Sequence, residues 1–256
     1  MSSIAKSILI RLEGLANISR VRGHSIWMQP LSEESIIVDL GGNQGDFSNY
    51  FYDCLRCHIF CVEANPELAV KMALPVEVDN LAITSSAGTF DFVISDNPEG
   101  SSLFRNLSDS WGSVKTVKIR GVPLQTYLDE KSVERVSLLK IDIEGAELDL
   151  LDSLDSSTLQ SIDQLTVEFH DFIDPSQLPL VKAAISKLEK AGFLYIGCNF
   201  PHHDDTLFIR KSLLKQSKYW KAYLSLLIMK QVYILRGFIH QFLYRMRFGV
   251  APSYEY

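Results

Sequence analysis

The chain predicts an α/β protein built on a mostly parallel sheet, and three observations carry that reading. Short apolar runs recur as strands near 36–40, 59–63, 75–79, 137–142, 163–169 and 193–198. Amphipathic stretches near 46–56, 66–72, 145–154 and 176–191 fall between several of them, and such alternation implies parallel strands joined by right-handed crossovers. Two of the runs, 36–40 and 137–142, empty into glycine and then a helix. That is how open α/β sheets hold nucleotide-like ligands.

Taken in order, residues 3–17 place Ile4, Ile8, Leu12 and Leu15 at helical spacing, and 23–29 reads as a short strand leading in. Next comes Ile-Ile-Val-Asp39-Leu-Gly41-Gly42-Asn43-Gln-Gly45-Asp46. Without a Cβ, Gly41 and Gly45 admit backbone angles closed to other residues, and the helix that follows offers unpaired N–H groups. Glu63 ends the next apolar run, where an acid is placed to accept hydrogen bonds from two ribose hydroxyls. Residues 81–96 break the rhythm, since Ser85-Ser86-Ala87-Gly88 between apolar runs reads as the turn of an inserted hairpin. Runs 193–198 and 206–210 read as a closing antiparallel pair.

The glycine spacing selects among ribose ligands. A dinucleotide fingerprint needs Gly-x-Gly-x-x-Gly, but counting from Gly41 the second glycine position holds Asn43 and the third holds Asp46. The Asp46 carboxylate would repel a pyrophosphate at the helix start. S-adenosylmethionine has a ribose for Glu63, cationic ammonium and sulfonium centres for the acidic surroundings, and no phosphate. Asp39 and the Gly41, Gly42, Asn43 and Gly45 backbone are assigned to its methionine end, Glu63 to the ribose, and Asp79 and Asn80 to adenine.

Asp39-Leu-Gly-Gly-Asn-Gln-Gly-Asp-Phe-Ser48, Val62-Glu63-Ala64-Asn-Pro66 and Leu139-Lys-Ile-Asp142-Ile-Glu144-Gly-Ala-Glu147 together resemble the FkbM family of S-adenosylmethionine-dependent methyltransferases. Residues 81–90 and Gly100-Ser101-Ser102-Leu103 resemble that family's inserted hairpin and loop. The likeness spans about residues 32–211. Gly42 stands where the family usually has alanine, and Ala64 where a bulkier residue is common. The resemblance implies a Rossmann-like class I methyltransferase sheet and O-methylation of a hydroxyl on a sugar, glycolipid or related metabolite. The alternative is a catalytically inactive S-adenosylmethionine-binding or membrane-associated interaction protein.

Methyl transfer to a hydroxyl needs alignment and a base. Asp142, at the end of its strand, is the first choice; Glu168 and His170 end the next one and offer a second carboxylate and an imidazole. The same three side chains have the chemistry to hold a divalent cation, and the sequence leaves metal dependence open. Glu144 and Glu147 read as groups shaping the helix start. His202, His203, Asp204 and Asp205 cluster in what reads as a solvated loop, and Ser101 and Ser102 as residues bordering the acceptor pocket.

With 256 residues, 46% of them hydrophobic, the chain can bury a sizeable core. Four cysteines without a secretory signal pattern point to a reducing, cytoplasmic setting, and Cys54-Leu-Arg-Cys57 lacks the second Cys/His pair of a zinc site. Charge is uneven. Residues 1–209 carry 16 basic against 30 acidic side chains, a formal −14, whereas 210–256 carry 9 against 1, a formal +8. The organisation expected is a lead-in over 1–31, a methyltransferase domain over 32–211 and a basic amphipathic tail over 212–256. Basic and aromatic residues over 215–248 suit an anionic membrane surface; packing on the acidic body or on another subunit of a homo-oligomer remains the alternative. Lys221 and Lys230 interrupt the apolar run short of the ~20 residues of a transmembrane span. A −14 body opposes nucleic acid.

Overall fold

The computed structural model describes residues 3–72, 75–95, 114–199 and 202–248. Its contacts divide the chain into two compact units, Leu31–Val167, and Met1–Pro30 together with Glu168–Tyr256. The expected boundary at 211 is thus met by one at 167, and the lead-in belongs with the C-terminal part.

The chain opens with helix α1 (Ser3–Ala16) and a hairpin of β1 (Ile18–Val21) and β2 (His24–Trp27), in register Ile18 to Trp27. Leu9 and Ala16 are buried and Leu12 packs beside them, whereas Leu15 faces solvent, so the apolar stripe is shifted from the expected one.

The unit 31–167 is the nucleotide-type sheet. Strand β3 (Ile36–Leu40) leads to helix α2 (Asp46–Leu55), β4 (His58–Val62), the single turn α3 (Pro66–Ala69) and β5 (Glu77–Asp79). An inserted sheet follows: β6 (Ala82–Ile83), β7 (Gly88–Ser95) and β8 (Val114–Val122). Helix α4 (Leu124–Glu130), β9 (Leu138–Ile141), α5 (Glu147–Ser153), α6 (Ser156–Gln160) and β10 (Gln164–Val167) complete it. The parallel order is β5-β4-β3-β9-β10, so the direction of growth reverses between β3 and β9. Ligands of open α/β sheets bind outside the carboxyl ends at such a switch point. Val38, Leu40, Cys61, Leu139 and Ile141 are buried because a parallel strand is covered on both faces.

The inserted hairpin has β7 and β8 as its arms, antiparallel from Gly88–Gly121 to Ser95–Val114. The Ser85–Gly88 turn leads into it rather than closing it, because β6 pairs in parallel with β8 and not with β7. The nine-residue β8 is long enough to serve both neighbours. Ser101 and Ser102 lie outside the described residues.

In the other unit, α7 (Leu178–Lys190), β11 (Phe193–Gly197), β12 (Thr206–Arg210), the short α8 (Lys211–Leu214) and the long α9 (Trp220–Phe248) follow. β11 and β12 are antiparallel, as expected of the closing pair. Trp27, Ile196, Leu207, Leu226, Met229 and Tyr233 share a core with α1, and the Tyr233 hydroxyl donates to Glu13 at 2.7 Å. Residues 202–205 are not the solvated cluster expected. His203 is buried with Nδ1 2.8 Å from Asp171 Oδ2, and Asp205 accepts from the Ser25 amide and hydroxyl at 2.8 Å each while pairing with Arg20. Ser217–Ile239 is long and apolar enough to cross a membrane, so Lys221 and Lys230 do not cut the run as short as expected.

Candidate active site

A cleft of about 630 Å³, counted to its solvent mouth, opens at the carboxyl ends of β3, β4 and β9. Gly41, Asn43, Glu63, Asp142 and Glu144 form its polar wall; Leu68, Leu81, Ala82, Ile83 and Phe92 form its apolar one.

The polar wall is built by close approach. Gly41 has φ +82, and a Cβ there would fall 1.7 Å from the Asp142 carbonyl oxygen, so only glycine lets this turn pass beside β9. A Cβ on Gly42 would fall 2.2 Å from Cys61 Sγ, which occupies the room an alanine would need. Asn43 follows in the left-handed region, φ 49. Its amide donates to Glu63 Oε2 at 2.7 Å, and the Asn65 amide donates to Oε1 at 2.6 Å. Gly45, φ 81, starts α2. Burial pushes the Glu63 carboxyl up to about 7 against the opposing pull of the Asn65 and Asn43 amides and of Lys140.

Lys140 is the residue that motif reading passed over. It is buried in β9, opposite Asp39 in β3, with Nζ 3.2 Å from Asp39 Oδ1 and 3.4 Å from Asp142 Oδ2, and it donates to the Gly41 carbonyl at 2.8 Å. Burial alone would lower its pKa, but Asp39 and Asp142 outweigh burial and raise it, so the ammonium stays charged. A lysine within an otherwise apolar buried strand was the available signal, since a buried charge requires a partner.

Asp39 therefore differs from its expected place at the methionine end. It is fully buried behind the turn, with Oδ2 accepting from Ser48 Oγ at 2.7 Å, because Lys140 and Ser48 hold it there. Asp79 and Asn80 do not line the cleft either. Asp79 accepts from the Tyr127 hydroxyl at 2.8 Å and pairs with Lys131, while Asn80 Nδ2 donates to the Glu63 and Ala64 carbonyls. The apolar Leu81, Ala82 and Ile83 stand in the wall instead. Ala64 lines the cleft and packs on the Ala82–Phe92–Ile119 cluster. Glu144, φ 52, lines the cleft, and Glu147 shapes the helix start by accepting from the Ile143 and Gly145 amides at 2.9 and 3.0 Å. Glu168 and His170 follow β10 in the other unit; His170 is buried, 5.5 Å ring to ring from Phe172.

A parallel sheet with its cleft at the switch point, a glycine turn that lacks the dinucleotide spacing and an acid after the second strand define a nucleoside-binding protein of the methyltransferase class. The particular family follows from comparison: the model of the methyltransferase FkbM domain matches residues 39–195, and the chain belongs to that family. It is 23% identical over 181 residues to the hexuronic acid methyltransferase AglP of Haloferax volcanii, covering 65% of this chain and 71% of that one. It is 28% identical over 169 residues to methyltransferase 1 of Beauveria bassiana, covering 56% and 67%. Among solved structures, an rRNA methylase from Streptococcus thermophilus aligns with a TM-score of 0.41 and 10% identity over 78% of this chain and 94% of that one.

The family implies S-adenosylmethionine as methyl donor, and the residues present fit it. Glu63 spends two of its roughly four acceptor sites on amides, leaving two for vicinal hydroxyls. Asn43 Oδ1 is buried without a hydrogen-bond partner among the described residues, an acceptor suited to an ammonium. Gly41 lines the cleft with main chain, and the Leu81–Ile83 wall gives an apolar face for a purine.

Proposed function

We propose that the protein is an S-adenosylmethionine-dependent O-methyltransferase acting on a hydroxyl of a sugar, glycolipid or related metabolite. The observation that carries the reading is Asp142, a carboxylate in the wall of the donor cleft. The bound donor supplies an electrophilic methyl group on sulfur. Asp142 then has the task of accepting the hydroxyl proton as the oxygen–methyl bond forms and the sulfur–methyl bond breaks. Lys140, 3.4 Å away, keeps that carboxylate oriented. Gly41 and Glu63 fix the donor, and alignment of this kind lowers the barrier without further chemistry from the protein. The resemblance to a hexuronic acid methyltransferase supports a sugar-like acceptor. Glu168 and His170 are the candidates for a second acid–base pair or for a divalent cation.

The test is mass spectrometry of glycans and glycolipids, uronic acids among them, incubated with the protein and a deuterated methyl donor. Labelled methyl on oxygen is expected. Asp142→Asn should lower turnover by roughly 10²–10⁴-fold while still binding donor. Undiminished turnover removes Asp142 as base, and label confined to nitrogen or carbon removes O-methylation.

A further inference from the structure

The long C-terminal helix has two apolar faces, and its own unit covers one of them. Leu226, Met229 and Tyr233 of α9 are buried in the core shared with α1, and Lys230 pairs with Glu189 at 3.0 Å. On the opposite side Trp220, Leu224, Ile228, Leu235, Phe242 and Met246 are all exposed, Phe242 by 62% and Met246 by 73%. At about 100° per residue these six fall within an arc of roughly 80°, forming a stripe over most of the helix that the exposed Gln231 interrupts. Exposed apolar side chains scattered singly are ordinary; a stripe of this extent marks an interaction surface.

The charge beside the stripe identifies what covers it. Lys215, Lys218 and Lys221 are exposed where the helix begins, and among the described residues none of them is in an ion pair. Lys221 lies over the exposed Trp220 ring at 5.6 Å, so its ammonium sits at the edge of the apolar surface, whereas Lys218 lies over the buried Tyr219 ring at 4.7 Å. An apolar face with an aromatic residue and a lysine at its rim, and further lysines just before the helix, matches a helix lying in the headgroup region of a bilayer.

We propose that the outward face of α9 docks on the surface of an anionic lipid bilayer, lying in its plane. A second copy of the chain is disfavoured as occupant. Pairing two such faces apposes two segments that each carry 9 basic residues and a single acid, Glu255. A membrane span is disfavoured as well, although Ser217–Ile239 has the length for one. Surrounding the helix with lipid would strip Leu226 and Met229 from their core and break the Tyr233–Glu13 and Lys230–Glu189 contacts.

The experiment is flotation of the full chain with vesicles of phosphatidylcholine alone and of an equimolar phosphatidylcholine–phosphatidylglycerol mixture. The protein is expected to float with the anionic vesicles, at least ~10-fold more than with the neutral ones, and to be released by salt or alkaline carbonate. The Lys215→Ser/Lys218→Ser/Lys221→Ser and Leu224→Ser/Leu235→Ser variants should each lose at least ~10-fold in recovery. Donor affinity measured on both variants should be unchanged, since the cleft lies in residues 31–167. Should the apolar variant fold poorly, the lysine variant alone decides. Equal recovery of wild type and lysine variant overturns the proposal. So does release that requires detergent, which would make α9 a span, or sedimentation as a dimer with no flotation, which would make the face a self-association surface.

Discussion

In the turn after β3, Glu63 reaches from the neighbouring strand to accept the amides of Asn43 and Asn65; in the turn after β9, Glu147 reaches back from the helix to accept those of Ile143 and Gly145. Both are buried carboxylates organising a glycine-containing turn. They differ in what else they face. Glu63 is in the wall of the cleft and Glu147 is not. The same device therefore stands in the wall of the open cleft in one turn and holds only the backbone in the other.

Lys140 joins the two turns, donating to the Gly41 carbonyl of one and pairing with Asp142 of the other. Replacing it with Met is the harshest test of that connection. Asp39 would be left buried beside an apolar chain, and urea denaturation should show a loss of roughly 3–5 kcal/mol. A loss below ~1 kcal/mol would mean the two turns are set independently. Gly41→Ala attacks the same junction sterically, because its Cβ would meet the Asp142 carbonyl. It should cost roughly 2–4 kcal/mol and abolish donor heat in calorimetry; wild-type donor affinity in this variant would mean that the main chain does not pack against the ligand.

What the sequence could disclose of this junction follows from the range of the interactions. Strands β3 and β9 were readable because short, mostly apolar runs, each broken by a single charge, suffice to mark them. Glu63 was readable because an acid directly after such a run is a local pattern. The role of Lys140 was not, since its partner Asp39 becomes its neighbour only when strands a hundred residues apart pair. The occupants of Asp79 are hidden from the sequence for the same reason: the Tyr127 hydroxyl on α4 and Lys131 just past its end arrive 48 and 52 residues later. His203 and Asp205 looked solvated because Asp171 and Ser25, which bury with them, lie 32 and 180 residues away in sequence. Of α9, the sequence disclosed the charge and the amphipathic character; which apolar face would be covered depended on α1, more than two hundred residues away.

The two acids can be separated by substitution. Glu147→Ala removes the acceptor of two amides and should lower stability by roughly 1–3 kcal/mol, with donor affinity of the folded protein changed less than about threefold. Glu63→Gln should affect both measurements. It keeps one acceptor oxygen but turns its NH2 toward the amide of Asn43 or Asn65, so stability should fall by roughly 1–3 kcal/mol, and donor affinity should also fall, on the order of 10-fold, from the loss of one charge-assisted bond. If calorimetry shows the two variants behaving alike, the distinction between a ligand acid and a backbone acid fails.

The effect most specific to Glu63 is its pH dependence. Its folded-state pKa is raised from 4.5 to about 7, so between those values the folded protein binds more protons than the unfolded chain. The stabilisation from this group is then fully present below pH ~4.5 and is lost as pH rises through about 7. Relative to Glu63→Gln, wild-type unfolding free energy should decline across that interval. Donor affinity should move the other way, rising from pH 6 to 8 as the carboxylate ionises and becomes the stronger acceptor for ribose hydroxyls. Two opposed slopes in one residue are hard to produce by any group outside the cleft. Parallel pH profiles of wild type and Glu63→Gln, in both denaturation and calorimetry, would show that the carboxylate is already ionised at pH 6 and that its two amides outweigh its burial.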